Sequence, residues 1–509
     1  MIIQVGPLTA HLGRQKHFMS NFGNLPSAYS QQISHVYERV FSADAINRSE
    51  NRAALHWVDR ALSQPNGELG IRNPAITQKM LAQCDAFRAE YAHLKQFAEH
   101  IRHGHKKNPE GNPYESIVHL GIGGSDFGPR LLYDVFSQER KKTSDDTPTW
   151  TLRFVANIDF HEVQKNLKGL NPKTTLVIVT SKSFTTRETL LNAHYVIEWL
   201  NQAGSEFSQE AVIAVTSSPD KALNFGVKAS QILPMSVHVG GRFSVWGAVS
   251  LCIRIAFGNA HFEEFLQGGF AMDQHVLNND VNSNLAALMA ICDYLNLKHD
   301  IGLLMLSPYD SRLTLLLPYV QQLWMESLGK GVTQTNELLS KPACPVIWGG
   351  VGTNSQHTFF QMLHQAPLPC AVELVGVTQP AHNQTENHIV LLSNFLAQAQ
   401  AFSEGRPNTV QTSHIELAKH LICPGGRPTT SMIIQQLNAE SLGYLLAFWE
   451  HRTLALAALE HINPFDQWGV EIGKKIAHEV EGLLLNADTT SNDPITRELI
   501  QLLRTSLCT

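Results

Sequence analysis

The stretch Leu176-Val177-Ile178-Val179-Thr180-Ser181-Lys182-Ser183-Phe184-Thr185-Thr186-Arg187-Glu188-Thr189 decides how this chain is read. Its four opening aliphatics suit a strand buried on both faces. Ser181, Ser183, Thr185 and Thr186 then crowd hydroxyls around a single cation, Lys182. Hydroxyls and backbone N–H groups donate to phosphate oxygens, and an ammonium adds charge. A hydroxyl-rich loop behind a buried strand is therefore a phosphate cradle. With no nucleotide motif beside it, a compact sugar phosphate fits better than a nucleotide. The same residues also fit a Ser/Thr-capped helix start with Glu188 in the first turn.

Outward from this strand, short apolar runs alternate with longer amphipathic ones. Candidate strands are Ile117–Gly121, Leu152–Asn157, Leu176–Thr180 and Ala211–Val215, then Ile301–Leu306, Pro345–Trp348 and Val372–Val377. Such spacing marks parallel α/β sheets, and two α/β units are the simplest division. Residues up to about 105 read as mostly helical, because Leu81, Phe87, Tyr91, Leu94 and Phe97 recur at helical spacing. Pro, Gly and Asn make 106–113 a loop. The tail beyond about 475 is helical again, with a turn at Asn486 to Pro494. The expected segments are a helical 1–105, α/β domains 106–275 and 276–475, and a helical tail 476–509.

Composition narrows the function. The chain has 509 residues and 43% hydrophobic content, enough for sizeable cores. A net charge of −6 argues against nucleic acid as the main partner. Seven scattered cysteines, an odd number with no C-x-x-C, fit a reducing cytoplasm better than a disulfide framework. The start of the chain does not read as a signal peptide. The best membrane candidate, Leu442 to Leu459, is broken by Glu450-His451-Arg452. No H-E-x-x-H or other metal-ligand spacing is present, and no cofactor motif.

Five further segments carry chemistry. Gly121-Ile122-Gly123-Gly124-Ser125-Asp126-Phe127-Gly128-Pro129 follows a strand and precedes a helix. Its glycines allow close backbone approach to an anion at a helix N-terminus. It equally fits a tight turn capped by Asp126. It is neither a dinucleotide fingerprint nor a P-loop. Val239-Gly240-Gly241-Arg242-Phe243-Ser244-Val245-Trp246-Gly247 sets Arg242 among glycines and aromatics, free to meet an oxyanion or to stack on Phe243 or Trp246. In Gln321-Gln322-Leu323-Trp324-Met325-Glu326-Ser327, Gln322 and Glu326 share a helix face. Buried among apolar neighbours, Glu326 suits general-base work; on a surface it is one more helical acid. His357, in Gly352-Thr353-Asn354-Ser355-Gln356-His357, reads as an acid–base group at a helix start or as a capping or core histidine. Phe465-Asp466-Gln467-Trp468-Gly469-Val470-Glu471-Ile472-Gly473-Lys474-Lys475 mixes aromatics and amides before two lysines that fit a solvated face.

In this order, GIGGSDFGP at 121–129, SKSFTTRET at 181–189, VGGRFSVWG at 239–247, QQLWMES at 321–327, GTNSQH at 352–357 and FDQWGVEIGKK at 465–475 resemble the glucose-6-phosphate isomerase family, from about residue 50 to about 480. The resemblance implies two sugar-isomerase (SIS) α/β/α sandwich domains with mainly parallel sheets, plus helical N- and C-terminal segments. It implies ring opening helped by His357 and Lys474. Proton transfer by Glu326 between C2 and C1 follows, through a cis-enediol whose charge Arg242 stabilises. Ser181, Ser183 and Thr186 would hold the phosphate, with Lys182 nearby. Gly124, Ser125, Gln322 and Gln467 would line the sugar. It implies no metal and no organic cofactor, and a cytoplasmic homodimer in which His357 acts across the subunit interface.

Trp324, Leu328, Arg187, Ser183 and Gly247 depart from residues common in the family, and none removes a role-bearing group. Trp324 and Leu328 make the expected surroundings of Glu326 more apolar. A sugar-phosphate sensor on the same fold would lack the acid. An amidotransferase would need an N-terminal nucleophile, where Met1-Ile2 stands.

Overall fold

The computed structural model describes every residue except 65–66, 140–148, 407–418, 486–490, 492 and 508–509. The chain opens on a hairpin, where the sequence reading had placed a mostly helical segment. Strands β1 (Ile2–Val5) and β2 (Leu8–Arg14) pair antiparallel. The helical pattern proper begins later, in Ser27–Phe41 and the long Pro74–Arg102.

Strands β3 (Ser116–Leu120), β4 (Thr151–Val155), β5 (Thr175–Thr180), β6 (Val212–Thr216) and β7 (Ile232–Pro234) form one sheet in the order β4-β3-β5-β6-β7. All its pairings are parallel. Its central strands β3, β5 and β6 are buried along their whole length, as helices on both faces require. Strands β8 (Leu303–Tyr309), β9 (Val346–Gly349), β10 (Ala371–Gln379) and β11 (Thr429–Gln436) build the second sheet, in the order β1-β2-β11-β10-β8-β9. Pairing there is parallel except along the hairpin and where β2 meets β11. The architecture is thus α/β with mainly parallel sheets.

Each of the seven expected strands lies where a strand is found, within a few residues at either end. Ala211 is the exception at an end: it closes the helix Ser205–Ala211 and β6 starts one residue later. Four strands were not foreseen. β7 is three residues long and ends in proline. β11 reads TTSMIIQQ, in which hydroxyls and amides mask the apolar run.

The apolar stretch once weighed against a membrane span is the helix Ala439–Leu459, buried throughout all but its first-turn Glu440 and Tyr444. Its interrupting charges face opposite charges inside the core. Arg452 makes a two-bond fork to Asp293 (2.7 and 2.9 Å) and reaches Glu373 at 2.7 Å. Glu450 accepts from Arg60 at 2.5 Å and from the Trp246 indole at 2.7 Å. His451 meets Asp273 at 2.7 Å. Buried charges persist only when paired and hydrogen-bonded in this way. Among the described residues no helix is long and apolar enough to cross a membrane.

The chain divides into two units, Met1–Pro464 and Phe465–Thr509. The second holds a short turn, Trp468–Val470, and the helices Glu471–Leu485 and Pro494–Leu507. The Arg504 guanidinium donates to the Leu483 carbonyl and ties these two helices together. The turn expected at Asn486 to Pro494 falls largely outside the described residues, as does Cys508.

Candidate active site

β5 ends at Thr180, and the hydroxyl loop turns directly into the helix Arg187–Asn201. A helix does start here, with Thr186 at its N-cap position but making no side-chain capping bond, and the hydroxyls sit around its N-terminus, where a helix dipole favours an anion. Ser181 Oγ and Thr186 Oγ1 lie 3.1 Å apart, and Ser183 Oγ and Thr185 Oγ1 2.7 Å. Two features hold the loop. Phe184 has φ +49°, a costly conformation for a bulky residue, yet its ring is buried edge-on against Phe225 at 5.6 Å. The Lys182 carbonyl accepts three bonds from the end of β6: Ser217 N (3.0 Å), Ser217 Oγ (2.6 Å) and Thr216 Oγ1 (3.1 Å).

The Lys182 side chain does something the sequence did not suggest. Its ammonium donates to the Val237 and Val239 carbonyls, at 2.9 and 2.7 Å. Burial, with Arg52 nearby, pushes its pKa down to about 8. Lys221 reaches the loop from another segment, its Nζ donating to the Ser183 carbonyl at 3.2 Å.

The Gly-rich turn after β3 is a short 3₁₀ turn, Gly123–Ser125. His119, on β3, lies beneath it with Nε2 2.7 Å from the Ser125 carbonyl. A carbonyl only accepts, so Nε2 carries the hydrogen. Burial pushes the imidazole pKa down to about 4 and keeps the ring neutral. Asp126 does not cap the following helix. It pairs with Arg130 at 2.7 Å through the guanidinium. Glycine is required at 124, because a Cβ there would lie 2.1 Å from the Gly241 carbonyl oxygen. At Gly123, φ is +59° and a Cβ would lie 2.9 Å from the Gln322 amide nitrogen. These two glycines bring the turn of Ser125, the turn of Arg242 and the segment of Gln322 into contact.

Arg242 is 4% exposed, in the turn Gly241–Trp246. Its Nη1 lies 3.3 Å from Glu326 Oε1, its Nε donates to Ser327 Oγ at 2.6 Å, and its Nη2 donates to the Pro464 carbonyl at 2.5 Å. Phe243 lies beside it, 5.5 Å from the guanidinium carbon to the ring centre. The guanidinium thus meets both a protein carboxylate, Glu326, and the Phe243 ring.

Glu326 closes a π-helical turn, Gln322–Glu326, that interrupts a helix expected to be regular. Such turns carry an unpaired carbonyl and recur at functional sites. The expectation of an acid buried among apolar groups is corrected. The Glu326 side chain is 23% exposed and faces the Arg242 guanidinium. Trp324 and Leu328 serve the core instead, both fully buried. The Trp324 indole donates to the Pro345 carbonyl at 3.1 Å and sits edge-on to Trp449 at 5.7 Å, with Arg452 5.3 Å from its ring.

His357 ends the short helix Gly352–Gln356 rather than starting it, and it is exposed. Gln467 and Lys474 belong to the second unit. There Lys474 is exposed and donates to Glu471 at 2.8 Å. The structure therefore gathers Gly124, Ser125, Arg242, Gln322 and Glu326, and sets Ser181, Ser183 and Thr186 on a loop that Lys182 ties to the segment before Arg242. Sequence reasoning missed Ser327, the Pro464 carbonyl, His119 and Phe184. Ser327 stood inside a motif already singled out; a backbone carbonyl leaves no sequence signal.

The sequence pattern of the phosphoglucose isomerase family matches residues 15–500. A glucose-6-phosphate isomerase from Caulobacter vibrioides is 36% identical over 493 residues, covering 94% of this chain and 88% of that protein. One from Bordetella avium is 36% identical over 518 residues, covering 99% and 94%. The crystal structure of a glucose-6-phosphate isomerase from Chlamydia trachomatis superposes with a TM-score of 0.78 at 27% identity, covering 100% of this chain and 93% of that one. Turns, pairings and pattern converge, and the chain belongs to the phosphoglucose isomerase family.

Proposed function

We propose that this chain interconverts D-glucose 6-phosphate and D-fructose 6-phosphate by ring opening and proton transfer, the step shared by glycolysis and gluconeogenesis. The observation that carries the reading is the Arg242–Glu326 pair, 3.3 Å apart across two separate turns. Moving a carbon-bound proton needs a placed base and a cation for the enediolate oxygens. Glu326 takes the proton from C2 and returns it to C1, since one carboxylate reaches both adjacent carbons. Arg242, already fixed by Ser327 and Pro464, meets the developing charge without having to reorganise. Ser181, Ser183 and Thr186 hold the phosphate at the helix N-terminus, whose remote binding energy positions the sugar. Gly124, Ser125, Gln322 and Gln467 line the sugar.

His357 and Lys474 open the ring, His357 acting across the interface of a cytoplasmic homodimer; its exposure is compatible with that role. The division into 1–105, 106–275, 276–475 and 476–509 belongs to the same proposal. In it the first α/β domain supplies the phosphate loop and the second supplies Glu326 and His357. No cofactor is assigned a step.

The test is purified protein with fructose 6-phosphate in deuterated water, followed by NMR. Glucose 6-phosphate carrying deuterium at C2 is the expected product. Saturable sugar-phosphate binding with no product would instead identify a sensor, and the catalytic assignment would fall.

A further inference from the structure

We propose that Lys182 is a positioning residue: its ammonium braces the phosphate loop against the segment leading into Arg242, so that anchoring the phosphate and placing the guanidinium are one mechanical event. This rests on the isomerase reading above.

The geometry is a cross-link between two loops. The backbone of Lys182 lies in the hydroxyl loop, and its carbonyl is held by Thr216 and Ser217. Its side chain leaves that loop and ends on the carbonyls of Val237 and Val239, 55 and 57 positions along the chain. Only Gly240 and Gly241 separate Val239 from Arg242. Two glycines have no side chains to anchor them and great backbone freedom. Beyond them the Ser244 hydroxyl fixes the turn by donating to the Gly241 carbonyl at 2.7 Å. The Lys182 ammonium fixes it from before. Between these two holds the backbone that carries Arg242 is fixed on both sides, while Ser327 and the Pro464 carbonyl hold its guanidinium.

The surroundings disfavour a charge placed there without such a task. Arg52 lies on the same carbonyl, its Nη1 3.5 Å from Val237 O, and His238 is affected by both cations. Glu50 is the nearest opposing charge, 3.8 Å from Arg52. Burial and this crowding lower the Lys182 pKa, and the two carbonyl bonds offset the cost. Two of its three N–H donors are committed to these carbonyls, so at most one is left for a phosphate.

The experiment compares wild type with Lys182→Met and Lys182→Arg. The readouts are kcat and KM for fructose 6-phosphate and the inhibition constant of inorganic phosphate. A brace predicts that Lys182→Met lowers kcat by about 10–100-fold, the scale of a small misplacement of a reacting group. The phosphate inhibition constant should stay within about 2-fold, because the hydroxyls remain. Lys182→Arg, which can still donate to both carbonyls, should recover much of the loss. In an Arg242→Ala background, Lys182→Met should cost less than about 2-fold more, since a residue acting through another is non-additive with it.

A phosphate inhibition constant raised about 10-fold with kcat preserved would make Lys182 a phosphate ligand and overturn the brace. Additive losses, or no loss, would overturn it too. If Lys182→Met does not fold, Lys182→Gln, with a single amide donor group, should give an intermediate kcat under the same criteria. A wild-type protein without turnover would instead sink the isomerase reading, which separates the two failures.

Discussion

The phosphate loop and the Arg242–Glu326 pair are assembled from different kinds of neighbourhood. Ser181 to Thr186 are consecutive, and one strand end and one helix start shape them all. Arg242 reaches its partners across long separations, 85 positions to Ser327 and 222 to the Pro464 carbonyl. The difference fits the chemistry proposed for each. Holding an anion needs several donors in rough array, and any one is partly replaceable. Moving a proton needs one carboxylate and one cation at fixed distance, which only long-range packing provides. Damage to the first should therefore appear in KM and damage to the second in kcat.

Glu326→Gln is the severest break of this comparison. Turnover should fall by about 10²–10⁴-fold or more, the usual scale for a general acid–base group, while binding of a sugar-phosphate inhibitor persists. Near-normal kcat in steady-state assays would remove Glu326 as the base. Arg242→Ala should follow, with kcat lowered about 10²–10³-fold, comparable to losing an oxyanion donor. If the two residues work as a pair, the double variant will lose far less than the product of the single losses.

Thr186→Val probes the other region. Losing one donor to a charged phosphate should raise KM about 10-fold and leave kcat within a few-fold. A large fall in kcat here would erase the division of labour.

The smallest expected effect concerns the underside of the arginine turn. There Asp59 lines a cleft together with Val239, Phe243 and Ser244. Burial pushes its carboxyl pKa up to about 6. The folded protein therefore binds more protons than the unfolded chain between about pH 4 and pH 6. The stability this group contributes is present below that window and is lost as pH rises through it. Asp59→Asn should stabilise the fold by about 1–2 kcal/mol at pH 7 and by almost nothing at pH 4. Thermal midpoints at the two pH values measure this, and equal shifts at both would refute the burial argument. kcat should not change.

What was legible in the sequence follows the same division. Aliphatic runs such as Leu176–Val179 announce buried parallel strands, because that signal is local. The π-helical turn at Gln322–Glu326 was illegible, since its widening depends on how the flanking helix packs. Lys182 was read by its charge, as an anion ligand, although its length lets it reach carbonyls on another loop. The apolar shell expected around Glu326 failed because Trp324 and Leu328 point into the core and leave the carboxylate to Arg242. β11 was hidden by the hydroxyls and amides of TTSMIIQQ, of which Gln435 and Gln436 are exposed while Thr430 is satisfied by a partner no local window contains. That partner is Gln15.

That last contact has a consequence for how the chain is made. The hairpin of β1 and β2 is synthesised long before its partner strand: it pairs with β11, and Gln15 and Thr430 are 415 positions apart. At about 5–20 residues per second, the hairpin waits roughly 20–80 s for its neighbour to be synthesised. Throughout that wait one of its edges is open to strands from other nascent chains. The second sheet is thus completed only once β11 has been made, and its assembly depends on keeping a hairpin made some 415 residues earlier unengaged until then.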